Sequence, residues 1–238
     1  MSLNVIVAGV GSGLGAALVR KFSNEGCRIA MLARTGKYVS QLTREIRSKN
    51  GQVIGLPVDL TSPNQVARAF NKIRSQWGHP DVLIYNASEA VWKSLQKINP
   101  QEFEHAWRVC VFGAFLCSRE AAQDMILRRS GTIIFTGATS SVRGRRGAVD
   151  FSSAKFGLRG LAESLARELW PNGIHVAHVV LDGMIDTPAM RRKYRPKASE
   201  PLLQAEAIAE TFWSLVLQKS GAWSAEVDLR PFNEDFFV

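Results

Sequence analysis

Short apolar runs alternate with longer amphipathic stretches along the whole chain. Val5–Ala8, Arg28–Ala33, Gln52–Pro57, Val82–Tyr85, Thr132–Thr136, His175–Val180 and Glu226–Leu229 are strand-like. Most are β-branched and apolar at successive positions, the pattern of parallel strands buried on both faces. Between them Leu14, Leu18 and Phe22 recur four apart. Leu158, Leu161, Leu165 and Leu169 keep a three-to-four spacing, with Glu163, Arg167 and Glu168 interleaved. Such spacing predicts helices with one apolar stripe. Strands and helices in alternation predict an α/β fold, a parallel sheet covered by helices on both faces.

No internal repeat, low-complexity tract or linker interrupts this order, so residues 1–238 are expected to form one domain. The most irregular stretch is Asp182–Glu200, which holds Pro188, Pro196 and five basic residues. Its place late in the chain suits a segment covering a substrate.

Composition narrows the field. The chain has 238 residues, 46% of them apolar, enough for one sizeable core and somewhat long for two. No uncharged apolar run reaches the roughly 18 residues of a membrane span. Met1–Ala8 enters a strand pattern with no basic region and no cleavage site, so no secretory signal is read. Three cysteines, Cys27, Cys110 and Cys117, form no CxxC pair and have no histidine cluster near them. That argues for a reducing, cytoplasmic setting and against a disulfide framework or a metal site. The net charge of +9 admits nucleic acid, anionic lipid or an anionic small molecule as partner, or simply a solvated basic surface.

The sharpest motif follows the first strand. Gly9, Gly11, Gly13 and Gly15 lie between that strand and the first helix, and Gly11-Ser12-Gly13-Leu14-Gly15-Ala16 fits G-x-G-x-x-A. Glycine lets the backbone come close to a pyrophosphate, and the helix N-terminus aims N–H groups at the phosphates. Strand, loop and helix stand in the order this reading requires. A tight structural turn is the alternative.

A dinucleotide site often carries an acid about 20 residues further on, against the ribose hydroxyls. Here the second strand ends Met31-Leu32-Ala33-Arg34, with no acid. A guanidinium at Arg34 can pair bidentately with a 2′-phosphate, which favours NADP(H) over NAD(H). Arg34 could also merely cap a strand end in solvent. Asp59, followed by Leu60, closes the third strand and could accept from an adenine amino group, or serve a turn beside Thr61, Ser62 and Pro63.

These features, with three further motifs, resemble the short-chain dehydrogenase/reductase family across nearly the whole chain. The marks are Gly9-x3-Gly13-x-Gly15, Asp59, Asn86-Ala87 in the place of the family's Asn-Ala-Gly, Phe151-x3-Lys155, and Gly183-x3-Thr187 in the place of its Pro-Gly-x3-Thr. The resemblance implies a Rossmann-type, doubly wound sheet of seven parallel strands. It also implies a nicotinamide cofactor, touched at Asn86, Ala87, Lys155, Gly183, Ile185 and Thr187 as well as at the glycine loop. Subunits would pair, as dimers or tetramers, through the helices near Glu102–Leu127 and Phe151–Trp170.

The family's catalytic set does not carry over intact. Its Tyr delivers a proton as hydride reaches a carbonyl carbon, its Lys tunes the phenol and holds the ribose, its Ser fixes the carbonyl oxygen, and its Asn anchors a relay water. Lys155 is retained, but Phe151 stands at the Tyr position, Ala138 at the Ser position and Cys110 at the Asn position. Phe has no ionisable proton, and general acid–base help is typically worth 10²–10⁴-fold, or about 3–5 kcal/mol of barrier. Ser140, with Thr139 and Ser141, lies close beyond the lost Ser and could replace it. Tyr194, Tyr85, His175 and His178 are weaker candidates, each better explained by ordinary packing or a place on the surface.

Arg143, Arg145 and Arg146 follow the fifth strand; Arg191, Arg192, Lys193, Arg195 and Lys197 follow the sixth. Loops past the carboxyl ends of parallel strands line the binding crevice, so both runs are expected at one edge, facing an anionic ligand or solvent. No nucleic-acid-binding pattern accompanies the charge. The expected function is a divergent oxidoreductase acting on a carbonyl or alcohol substrate. The alternative is a catalytically weak or inactive protein that binds the cofactor for a regulatory or structural purpose.

Overall fold

Seven parallel strands lie in the order β3-β2-β1-β4-β5-β6-β9 in the computed structural model, which describes residues 2–197 and 199–234. Met1, Ala198 and residues 235–238, which the expected domain also covers, lie outside the described residues. The strands are β1 Asn4–Ala8, β2 Arg28–Ala33, β3 Gln52–Pro57, β4 Val82–Tyr85, β5 Gly131–Thr136, β6 Ile174–Leu181 and β9 Glu226–Leu229. All five residues of β1 are buried. Ile6 and Ala8 face one core, and Val5 and Val7 face the other. That is the consequence of apolar residues at every position of a strand covered on both sides.

Helices α1 (Leu14–Asn24), α2 (Gly36–Ser48) and α8 (Ala205–Val216) cover one face. Helices α3 (Pro63–Trp77), α5 (Gly113–Arg128) and α6 (Val149–Leu169) cover the other. The doubly wound, Rossmann-type sheet expected from the sequence is the fold observed. Strand order reverses between β1 and β4, so the connections leave in opposite directions and open a crevice at their carboxyl ends.

Two details were not read from the sequence. The helix preceding β5 is not continuous: α4 (Pro100–Trp107) runs into one π-helical turn at Arg108–Phe112 before α5. Cys110 sits inside that turn, fully buried.

The stretch Asp182–Glu200, read as the most irregular, is largely ordered. It contains β7 (Met184–Asp186) and α7 (Pro188–Tyr194), and β7 pairs in parallel with β8 (Leu202–Gln204). Pro188 starts α7 instead of breaking it, because the first helical position needs no N–H. The Thr187 hydroxyl caps α7 by accepting from the Met190 N–H at 3.1 Å.

Candidate functional site

A cleft of about 380 Å³ opens at the reversal point, within the range of about 300–1,000 Å³ typical of small-molecule sites. The residues after β1 form its floor, from Gly9 to Gly15. Ala33, Arg34 and Thr35 after β2, Asp59 to Thr61 after β3, and Asn86 to Ser88 after β4 form its walls.

The glycine loop is as tight as its sequence suggested. Gly9 has φ +95°, and a Cβ there would lie 2.4 Å from the Ala87 backbone N. A Cβ on Gly15 would lie 2.9 Å from the Gly9 carbonyl oxygen, and one on Gly13 would lie 2.7 Å from the Thr187 methyl. Gly11 differs: nothing lies within 4 Å of its would-be Cβ. Three glycines are thus required by the protein's own packing, while Gly11 leaves open space at an exposed bend beside Ser12. Asn86 holds the arrangement, its side-chain amide donating to the Gly9 carbonyl at 2.8 Å. Leu14 and Gly15 open α1 at this end of the sheet, and the Ala16 and Ala17 N–H groups already donate to the Gly13 carbonyl at 3.0 and 3.3 Å.

Thr187 touches Gly13, so the strand–helix unit carrying Gly183, Ile185 and Thr187 meets the glycine loop. Of the residues expected to bind a cofactor, Gly9, Gly11, Gly13, Leu14, Gly15, Arg34, Asp59, Leu60, Asn86 and Ala87 line the cleft itself. Ser12, Lys155, Gly183, Ile185 and Thr187 lie outside that lining.

Asp59 serves the turn: its carboxylate accepts from the Thr61 N–H at 2.9 Å and the Thr61 hydroxyl at 2.8 Å. Partial burial raises its pKa, but these two bonds together with nearby positive charge, Arg34 first, hold the carboxyl below its ordinary value. Arg34 is not simply solvated. Its guanidinium donates to Glu89 at 2.7 Å.

Around the expected catalytic positions the chemistry is sparse. Lys155 is buried and donates to the Thr136 carbonyl at 2.7 Å. Burial pushes its pKa below the usual lysine value, and nearby Cys110 only partly offsets that. Its Nζ lies 5.5 Å from the centre of the Phe151 ring. Trp92 packs on the same ring at 5.1 Å, and the Arg145 guanidinium lies 5.8 Å above Trp92. The Trp92 backbone is left-handed, with φ +55°, and the adjacent Val91 N–H donates to the buried Asp150 carboxylate at 2.9 Å.

Ser140 is buried and accepts from the Ser152 hydroxyl at 3.4 Å, and Ser141 accepts from the Ala138 N–H at 3.1 Å. These hydroxyls secure the loop between β5 and α6. The other candidates are held in packing. The buried Tyr85 hydroxyl donates to the Val109 carbonyl. His175 bonds the Leu215 and Ser224 carbonyls and stacks on Trp223 at 5.0 Å. His178 pairs with Glu226 at 2.8 Å. Tyr194 is exposed beneath the Lys193 ammonium.

Arg143 of the first basic run bonds Asp182, just past β6, at 2.6 and 2.8 Å, so that run reaches the segment that leads to the second. Part of their charge is neutralised there: Asp182 also meets Arg230, and Arg191 is held by Asp186 at 2.6 Å. Among the described residues no group of His, Cys, Asp or Glu could hold a metal, and no helix is long and apolar enough to cross a membrane.

The sequence pattern of the short chain dehydrogenases matches residues 3–198. The chain belongs to the short-chain dehydrogenase family. Among its relatives, the 3-oxoacyl-(acyl-carrier-protein) reductase MabA of Mycobacterium avium is 30% identical over 191 residues, covering 80% of this chain and 70% of the relative. The corresponding Escherichia coli reductase is 29% identical over 186 residues, 78% of this chain and 75% of the relative. The crystal structure of a short-chain dehydrogenase from Rhodopseudomonas palustris is 31% identical and superposes with a TM-score of 0.83, covering 97% of this chain and 99% of the other. A metagenomic short-chain oxidoreductase in complex with NADP is 25% identical, with a TM-score of 0.85 over 96% of both chains.

Sequence reasoning missed Glu89, Trp92 and Asp150. Each acts through a partner 55 or more residues away, and such pairings leave no local signature. The one available signal was Glu89 itself, an acid placed three residues beyond Asn86.

Proposed function

We propose that this short-chain dehydrogenase binds NADP(H) in preference to NAD(H), and oxidises or reduces an alcohol or carbonyl substrate without the phenolic acid of its family. The observation that carries the reading is the cleft at the reversal point, floored by glycines that leave the backbone bare and walled by Arg34. The residues fit the group: Gly9 to Gly15, with Ser12 and the start of α1, suit a diphosphate, and Arg34 suits a 2′-phosphate. Asp59 and Leu60 would flank the adenine, with Asn86 and Ala87 behind the adenosine. Lys155 would hold the nicotinamide ribose, and Gly183, Ile185 and Thr187 its carboxamide side. The bound dinucleotide would supply or accept the hydride.

The chain's own contribution to proton transfer is reduced. Phe151, Ala138 and Cys110 occupy the Tyr, Ser and Asn positions and carry no comparable proton donor or acceptor. Ser140 would have to release Ser152 to reach a carbonyl oxygen. Turnover would be slow, with the proton coming from water. Arg145 and Arg192, both exposed at this edge, favour an anionic substrate. Exposed aromatic side chains on α4, α5 and α6, among them Trp107, Phe115 and Phe156, favour self-association through those helices. Three free, buried cysteines suit a reducing, cytoplasmic setting, and one domain accounts for the chain.

A second reading is favoured by Trp92. Its indole packs on Phe151, where the family presents a phenol to substrate, so the chain could hold the cofactor for a regulatory or structural purpose without turnover. One experiment separates the two: titrate NADPH by fluorescence, then follow its oxidation by a panel of carbonyl compounds with the unmodified protein and with Phe151→Tyr. Saturable binding with slow oxidation, accelerated in Phe151→Tyr, is expected. Binding with no oxidation by either protein moves the chain to the second reading. No binding defeats both.

A further inference from the structure

We infer that Glu89 sets the discrimination between phosphorylated and unphosphorylated nicotinamide dinucleotides, by competing with the 2′-phosphate for the Arg34 guanidinium. The inference rests on the cofactor reading above and adds to it a residue outside the cleft lining. Arg34 follows β2 and Glu89 follows β4, with β1 lying between them in the sheet. Two strand spacings amount to about 9.6 Å, which the paired side chains bridge with an Nη2–Oε2 distance of 2.7 Å. The pair therefore crosses above the carboxyl end of β1, where the glycine loop begins.

Arg34 borders two spaces at once. One is the cleft with the glycine loop, and the other is a groove of about 490 Å³ shared with Glu89, His105 and the first turn of α4. The guanidinium can thus face the cleft, toward a phosphate, or the groove, toward Glu89. The pair is loosely held, since the Arg34 side chain is 58% exposed and that of Glu89 is 32% exposed. A pair this open contributes little, and a phosphate accepting bidentately is the stronger partner. The phosphate therefore wins, but its net gain is reduced by the pair it displaces and by the carboxylate left beside it. His105 stands ready to receive that carboxylate, its Nε2 lying 4.0 Å from the same Glu89 oxygen.

An unphosphorylated ribose presents hydroxyls at this point and makes no comparable demand on Arg34. Glu89 then keeps its partner. Removing the Glu89 charge should act on one nucleotide and spare the other.

The test measures dissociation constants for NADPH and NADH by fluorescence titration of the full chain, at low and at high ionic strength. Variants are Glu89→Gln, Glu89→Ala, and Glu102→Gln as a control that makes the same charge change in the same groove. Glu102 pairs with Lys93 and caps α4, and Gln preserves that cap. Both Glu89 variants should bind NADPH about two- to fivefold more tightly at low salt, with the gain shrinking at high salt. NADH affinity should stay within twofold, and Glu102→Gln should match the wild type for both nucleotides. An unchanged or weakened NADPH affinity in the Glu89 variants overturns the inference, as does an equal gain for NADH or the same gain in Glu102→Gln. Wild-type protein that binds neither nucleotide overturns the cofactor reading itself, and the inference with it.

Discussion

Alanine substitutions at Gly9 and Gly11 separate what the glycine loop does for the fold from what it would do for a ligand. At Gly9 two costs add. The backbone is at φ +95°, and a left-handed conformation costs a residue with a Cβ about 1–2 kcal/mol. The new methyl would also lie 2.4 Å from Ala87 N and 2.5 Å from Ala87 Cα. Those are backbone atoms two residues past β4 and cannot swing aside as a side chain could, so overpacking adds about 1–3 kcal/mol. At about 2–4 °C per kcal/mol for a chain of this size, Gly9→Ala should lower the melting temperature by on the order of 10 °C. Gly11 has nothing within 4 Å of its would-be Cβ, so Gly11→Ala should hold its stability within about 0.5 kcal/mol.

Ligand binding reverses the contrast. Gly11 lines the cleft and has open space around its would-be Cβ, so on the proposed placement of the diphosphate Gly11→Ala should weaken NADPH at least tenfold, about 1.4 kcal/mol. Thermal melts with and without nucleotide read both effects together. Wild-type protein with NADPH at about 100 times its dissociation constant should gain about 2.7 kcal/mol, and Gly11→Ala should lose roughly half of that gain or more at the same concentration. Gly9→Ala melting with the wild type would refute the packing argument. Gly11→Ala binding NADPH as tightly as the wild type would refute the placement of the diphosphate.

Three other outcomes are expected. Phe151→Tyr should raise the rate of NADPH oxidation by a carbonyl substrate about 10²–10⁴-fold, the usual scale of general acid help; an unmodified protein already as fast would show that another group gives the proton. Asp182→Asn should cost about 2 kcal/mol, less than the 3–5 kcal/mol of a fully buried pair because Arg143 is 42% exposed; an unchanged urea midpoint would count against the Arg143–Asp182–Arg230 cluster as a brace between loops. Burial lowers the pKa of both His175 and His178 below 6.5, only partly offset by their hydrogen bonds, so the unfolded chain takes up protons first as pH falls. Stability is therefore full above about pH 6.5 and declines below it, and a urea midpoint that holds or rises between pH 7.5 and 5.5 would contradict this.

The fold was legible because most of its strands are apolar at successive positions and buried on both faces, β9 at the sheet edge being the exception. Arg28–Ala33, Gln52–Pro57, Val82–Tyr85 and Glu226–Leu229 were read with the ends the structure gives them. Segments whose structure depends on tertiary partners were not legible. The π turn holding Cys110 lies within a continuous helical pattern, and β7 and β8 exist only by pairing with each other. Pro188 suggested irregularity, though Thr187 before it was a readable cap. In the candidate site, the tight glycine turn could be read because a βα turn is set by local sequence. The partners of Arg34 and Phe151 could not, since Glu89 and Trp92 reach them across the sheet edge from a loop with no repeating pattern. That Phe151 stands at the family's Tyr position is read from the resemblance alone.

The most direct test of the central claim is equilibrium titration of the purified chain with NADPH and NADH, followed by energy transfer from its six tryptophans to the reduced nicotinamide. A saturable signal at one site per chain, tighter for NADPH than for NADH and weakened at least tenfold in Gly11→Ala, is the predicted result. A signal that rises without saturation for both nucleotides would contradict the account.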